Sequence, residues 1–346
     1  MLRITKYLVK KVIVNIQRVL VPICASTPFT SSLYFAFFNG SYRFEQQAIL
    51  RGQCRYTQSN GVLEGTSPLL RRNIHRLEKG LVMRPRRSVF ALDYIEETVA
   101  VYADSMERDD MSTSELSWAS SILHLYFEVA DSSNPIISKQ KSIFLSLSKN
   151  CDATLLKTPY PSSQRHKHHI EIDEFLALTK ARRSCRWFHQ EQVSNEVIEK
   201  ACEAALQAPS ACNRQPFKFL VINDENMKRK LSQLPGGTAG FDGNICNLIA
   251  VVGDLSCYPS ERDRHVIYID SSLACMQFML ALETLGVSSC PINWPELHQQ
   301  NKRVTRLLQL SQYERVVMFI AFGYADKSGL IPYSDKKHFK DVIKYI

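Results

Sequence analysis

The chain has 346 residues, of which 45% are hydrophobic and 22% charged, with a formal charge of +9 at neutral pH. That length holds one large domain or two ordinary ones, and the composition is that of a globular protein with a real core. Ten cysteines show neither a C-x-x-C pair nor a Cys/His pattern at zinc spacing, which argues against disulfide staples and structural zinc and predicts a reducing, cytoplasmic setting. Neither G-x-G-x-x-G nor a P-loop occurs, and the basic excess, much of it in the first half, accompanies no nucleic-acid motif. The expectation is therefore no nucleic-acid partner and no separate Rossmann or ATP module.

Residues 1–25 set Lys6, Lys10, Lys11 and Arg18 beside Leu2, Ile4, Leu8, Val12, Ile13, Ile16, Val19 and Leu20. This apolar stripe at helical period, with a basic face, predicts either a peripheral membrane contact or a helix packed on the protein itself. Its apolar runs are too short to span a bilayer. Between Gly61 and Gly80 a helix is predicted with Ser67 as cap, Pro68 at the first position and Gly80 as the left-handed stop. Leu70, Ile74, Leu77 and Leu81 form its inner face, and Arg71, Arg72, Arg76 and Lys79 fall largely elsewhere. His75 and Glu78, one turn apart, read as a surface hydrogen bond. Helical patterns follow over 88–104 and 114–130, the second with Ser114 as cap, while 142–148 is too short an apolar run to assign. Polar residues from 150 to 169 mark a linker, giving a boundary between 1–165 and 166–346. His166, His168 and His169 lack a carboxylate or cysteine partner at metal spacing, so no metal is predicted.

The second half opens with a helix over 171–180 whose apolar residues are Ile172, Phe175, Leu176 and Leu178. Just past it, Arg182, Arg183, Ser184 and Arg186 put three guanidinium groups and a hydroxyl within five residues, a donor set matched to a phosphate. A helix carboxy-terminus is electronegative, so the grip must come from these side chains and the turn after the helix. A capped helix from Ser194 ends at Pro209, and Pro209, Ser210, Asn213 and Gln215 then present short polar groups able to read a heterocycle edge. Strands are predicted over 217–222, 248–252 and 316–323, with helices over 224–234 and 266–287, the latter apolar nearly all round but interrupted by Asp270, Gln277 and Glu283. The loop Pro235–Phe241 is dense in glycine, a backbone that admits a flat ligand or simply turns.

The arginine segment, the Pro209–Pro216 turn, Gly253-Asp254, Pro291-Ile292-Asn293-Trp294 and Phe319–Tyr324 occur in an order that resembles the nitroreductase-like flavoprotein family over roughly residues 171–346. The segment from Leu70 to Leu81 looks like the helical extension of members associated with polysaccharide biosynthesis. The resemblance implies an α+β fold, a mixed, mostly antiparallel sheet wrapped by helices and preceded by a mainly helical amino-terminal region. It implies FMN as cofactor, NAD(P)H as co-substrate, a small electron-poor acceptor (nitro, quinone or conjugated carbonyl) as substrate, and a homodimer. It gives Arg182, Arg183 and Ser184 phosphate and ribityl contacts and makes Arg186 the cation beside the flavin pyrimidine. Pro209, Ser210, Asn213 and Gln215 would reach the flavin from the other subunit. Pro291 and Asn293 stand where an amide donates to flavin N5, Trp294 either walls the pocket or is structural, and Lys336 or Lys337 supplies a basic phosphate contact. Thr238 and Asn244 border the pocket. No side chain is assigned as a nucleophile, and Cys185 and Cys212 read as structural. The alternative is a flavin-binding accessory or regulatory protein of polysaccharide biosynthesis without NAD(P)H turnover.

Overall fold

The structure is a computed structural model that describes residues 17, 19–147 and 157–346. Most of the predicted amphipathic segment at 1–25 and part of the linker lie outside the described residues. The amino-terminal half is helical: α1 (Pro28–Leu33), α2 (Arg43–Gln58), α3 (Pro68–Leu81), α4 (Ile95–Met106), α5 (Thr113–Val129) and α6 (Pro135–Leu147). In α3 the Ser67 hydroxyl accepts from the Leu70 amide, and Leu70, Ile74 and Leu77 are wholly buried. Each such side chain contributes about 1.5–3 kcal/mol over an exposed one. With Tyr102, Ile122, Tyr126 and Phe144 they form the core of this half.

Several boundaries differ from expectation. Gly80 does not stop α3, which runs on to Leu81. A Cβ there would stand 2.4 Å from the Phe90 ring, so this glycine admits an aromatic side chain against the helix. The cap of α5 is Ser112, not Ser114, with its hydroxyl 3.4 Å from the Glu115 amide. The ambiguous run at 142–148 continues a helix begun at Pro135, whose first turn bonds to the Asn134 side chain.

The second half contains α7 (Ile172–Ala181), α8 (Asn195–Ala205), β1 (Phe217–Val221), α9 (Glu225–Ser232), β2 (Asn247–Asp254), α10 (Val266–Thr284), β3 (Ser288–Asn293), α11 (His298–Leu307) and β4 (Glu314–Gly323). The sheet has the order β1-β2-β4-β3 with every neighbouring pair antiparallel. All eight positions of β2 are buried, because both faces of the sheet are covered. Leu248, Ala250 and Val252 enter one cluster, whereas Ile249 and Val251 enter the other with α8 and α10. In β4 the same parity would fail without the register shift opposite Val251 and Val252. Val251 faces Met318 and Val252 faces Val316, so skipping Val317 returns Val316 to the cluster of Phe319 and Ala321. The α10 stretch is long and apolar enough to cross a membrane, yet here it packs on α8 and the sheet.

The two halves meet where Ala48 of α2 joins Leu255, Tyr258 and Ile267 in a small cluster. Gly52 makes this approach geometrically feasible: a Cβ there would lie 2.7 Å from the Leu255 carbonyl oxygen, which is backbone and cannot swing aside. Gly52→Ala should therefore lower unfolding stability by about 1–3 kcal/mol, read as an earlier urea midpoint; an unchanged midpoint would show that the contact is not tight.

Candidate active site

The arginine segment is placed by β3. Arg182 leaves α7 in an extended conformation. Ser184 then forms a parallel bridge with Ser289, and the Cys185 amide donates to the Ser289 carbonyl at 3.1 Å. Phe188 pairs with Ala325 in the antiparallel sense, its ring 3.2 Å from where a Cβ on Gly323 would be. The sheet is thus mixed at this edge. Arg182, Ser184 and Arg186 converge on one buried thiol: burial raises the Cys290 thiol, and Arg186, a hydrogen bond from Ser184 and Arg182 pull it back down.

This cluster holds donors without acceptors. Nη1 of Arg182 and Oγ of Ser289 are buried with no hydrogen-bond partner, and Arg183 has no ion-pair partner among the described residues. Across from them, Oε2 of Glu283 on α10 is likewise buried and unpartnered. Burial pushes its carboxyl up, opposed by Arg182. Arg186 sits with its guanidinium 5.6 Å from the centre of the Phe241 ring, and its carbonyl accepts from Asn244 at 2.9 Å. A cavity of about 290 Å³ opens here, lined by Arg186, Gly236, Phe241, Cys290, Pro291 and Asn293.

The structure therefore brings Arg186, Pro291 and Asn293 together around the cavity, with Arg182 and Ser184 reaching Cys290 on its wall. Pro291 has no backbone donor, whereas Asn293 is exposed at the end of β3 opposite Met318. Trp294 does not line the cavity. Its indole donates to Asn301 Oδ1 at 2.8 Å and its ring meets Phe319 in the core, so it is structural. Thr238 is buried with its hydroxyl on the Pro235 carbonyl, a turn contact. Lys336 is exposed on the extended carboxy-terminal tail, and its backbone amide donates to Asp335 at 2.9 Å.

The second polar segment lies elsewhere on the chain. Ser210 accepts from the Gln215 amide at 3.1 Å, and the Ala211 amide donates to Asp270 on α10 at 3.0 Å. The Gln215 side chain is occupied at both ends, its oxygen by Arg71 and its nitrogen on the Leu206 carbonyl. Pro209 is exposed and the Asn213 side chain half-buried. No hydrogen bond or cavity joins this loop to the arginines within one chain among the described residues.

Sequence reasoning missed Phe241, Glu283 and Arg71. Phe241 was legible as an aromatic closing a glycine loop, but Glu283 read only as a polar interruption of an apolar helix, and Arg71 as part of a solvated face.

A sequence model of the nitroreductase family matches residues 179–239 and 244–324. A protein of Archaeoglobus fulgidus named as an NADH dehydrogenase/NAD(P)H nitroreductase is 33% identical over 163 residues, 44% of this chain and 86% of that protein. Iodotyrosine deiodinase 1 of Pongo abelii is 25% identical over 206 residues, 51% of this chain and 68% of its own. Among solved structures, an FMN-dependent nitroreductase from Clostridium difficile is 25% identical, covering 49% of this chain and 98% of its own with a TM-score of 0.42. The chain belongs to the nitroreductase family. It is an oxidoreductase enzyme whose α+β domain follows a helical amino-terminal region.

The family implies FMN, and the residues present fit it. A phosphate would satisfy the buried Arg182 Nη1 and Ser289 Oγ, and the unpaired Arg183 adds charge. One group here opposes an anion. Because the folded protein holds the Glu283 proton more tightly than the unfolded chain does, stability declines as pH rises from the ordinary glutamate range through the raised folded value. Glu283→Gln should remove that decline, so the variant's denaturant midpoint should match wild type at pH 4 and exceed it at pH 8. Parallel midpoints across this range would show that burial does not raise the Glu283 carboxyl.

Proposed function

We propose that the protein is an FMN-dependent oxidoreductase that uses NAD(P)H to reduce a small electron-poor acceptor, a nitro compound, a quinone or a conjugated carbonyl. The observation that carries this reading is the buried, unpartnered Arg182 Nη1, which with Ser184 and Arg186 acts on Cys290, a residue that lines a cavity beside β3. FMN, when bound, supplies the relay of electrons between nicotinamide and acceptor. Arg182, Arg183 and Ser184 hold its phosphate and ribityl chain. Arg186 keeps a fixed positive charge beside Phe241, where negative charge developing on a reduced ring would be stabilised. Pro291 and Asn293 shape the wall, and the Cys290 thiol, raised by burial, stays neutral and excludes water rather than reacting.

The reading extends to assembly. Residues 166–346 act as the flavin domain and 1–165 as its helical extension. Phe175 and Leu176 of α7 and Ile269, Leu273 and Met276 of α10 are between 39% and 56% exposed, an apolar face that a second copy of the chain would cover. In that homodimer Pro209, Ser210 and Asn213 serve the partner's flavin, and Lys336 on the extended tail reaches its phosphate. Peripheral membrane contact through residues 1–25 fits the first 44 residues, which contain Arg3, Lys6, Lys10, Lys11, Arg18 and Arg43 but no acidic side chain. Phe29, Phe37 and Phe38 just beyond are 67% to 75% exposed.

The purified protein should be yellow or take up added FMN, and NADH or NADPH should bleach it anaerobically. Arg182→Met should weaken FMN binding about tenfold to a hundredfold, the range set by losing a charge-assisted hydrogen bond. Colourless protein that refuses FMN would sink the reading, and bound flavin that no nicotinamide bleaches would leave an accessory, regulatory role. Light scattering should return the mass of two chains, and the protein should sediment with anionic but not neutral vesicles; a monomer, or no vesicle preference, would remove the corresponding part.

A further inference from the structure

One side chain of the helical extension reaches the loop after α8. Arg71 of α3 donates from Nε to the Asn213 carbonyl at 2.7 Å, from Nη2 to Gln215 Oε1 at 3.0 Å, and from Nη1 to Glu115 Oε2 at 2.9 Å. The pair is buried, with side-chain exposures of 14% for Arg71 and 2% for Glu115. Glu115 is itself fixed, accepting from the Thr66 hydroxyl at 2.7 Å and from the amide of Ser67, the cap of α3, at 2.8 Å. All three sides of the guanidinium fork are therefore used, which a lysine could not reproduce.

The loop that Arg71 grips is strained. Cys212, Asn213 and Gln215 have φ of 54°, 52° and 50°, the left-handed region that side-chain-bearing residues rarely adopt. Such a backbone persists only where its surroundings hold it. Arg71 holds two of those residues, and Asp270, through the Ala211 amide, holds the loop's other shoulder. The Gln215 amide is consumed at both ends as a strut. Among the described residues, the Asn213 side-chain amide and the Ser210 hydroxyl proton have no hydrogen-bond acceptor, and Arg214 Nε is buried without one.

We propose that Arg71 is a positioning residue through which the helical half holds the Pro209–Pro216 loop in the strained shape that presents Ser210 and Asn213 to the flavin. The inference rests on the reading of this loop as a flavin contact, and it gives the extension a function: a clamp built from α3 and the start of α5. In a homodimer the extension of one chain would then set the affinity of the partner's site.

The test compares wild type, R71M, R71K and R76M. Arg76, on the same helix, pairs with Asp93 near the surface and over the Tyr94 ring, away from the loop. FMN affinity is read by quenching of flavin fluorescence, folding by the denaturant midpoint, and the loop directly by amide hydrogen exchange over residues 209–216. R71M should bind FMN about tenfold to a hundredfold more weakly. R71K keeps a charge for Glu115, so it should unfold near the wild-type midpoint, yet still bind weakly and exchange faster across the loop. R76M should match wild type in both. If R71M does not fold, R71K decides. Wild-type affinity and wild-type loop exchange in R71K would overturn the clamp, as would an equal loss in R76M. A wild-type protein that takes up no FMN overturns the flavin reading instead, and loop exchange in R71K then decides whether the clamp exists.

Discussion

Everything at the candidate site depends on the pairing of Ser184 with Ser289. Three arginines so close in sequence repel one another and would disperse into solvent if the segment were free. The strand-like pairing to β3, with Cys185 and Phe188 buried beneath, fixes the backbone and turns that repulsion into a localised positive field. The field is only partly neutralised within the chain. Arg182 keeps a buried donor unused and Glu283 opposite it keeps a buried acceptor unused, although a direct bond between them would satisfy both. The two groups are therefore not joined in an internal ion pair.

A second constraint is the close packing of the helical half on the sheet domain. The helical half has its own core, drawn mainly from α3 to α6. What ties it down is a narrow junction: α2 pressed through Gly52 onto the turn after β2, and Arg71 reaching the loop after α8. Such a junction adds modest apolar burial and several directional bonds, which suits the transmission of geometry better than bulk stabilisation. The strained loop is where that geometry is spent. Meanwhile α7 and α10 leave an apolar face exposed on the domain that holds the arginines.

The sequence by itself determined α7 to α10, β1, β2 and β4 of the second half, because period-two and helical apolar patterns are local and β2 and α10 are strongly apolar, but neither β3, interrupted by Pro291, nor the polar α11 was legible in it. It also determined the arginine segment, since guanidinium spacing is a chemical fact independent of fold, and the α3 cap, since Ser67-Pro68 acts within one turn. Where it went astray, the deciding partner lay outside the element whose pattern was being read. Gly80 read as a helix stop because nothing local reveals the Phe90 ring that lies against it. Trp294, open between pocket wall and core by sequence, was settled by Asn301 and Phe319.

The register shift opposite Val251 could not be read from β4 alone, because it follows from the need of two strands to keep common faces. Arg71 is the plainest case. On the helical wheel it belongs with the solvated residues, and the wheel is correct for an isolated helix. Only tertiary structure decided that another half of the protein stands where water would be, because two of its three hydrogen-bond partners, Asn213 and Gln215, lie more than a hundred positions away, a separation that no local pattern encodes.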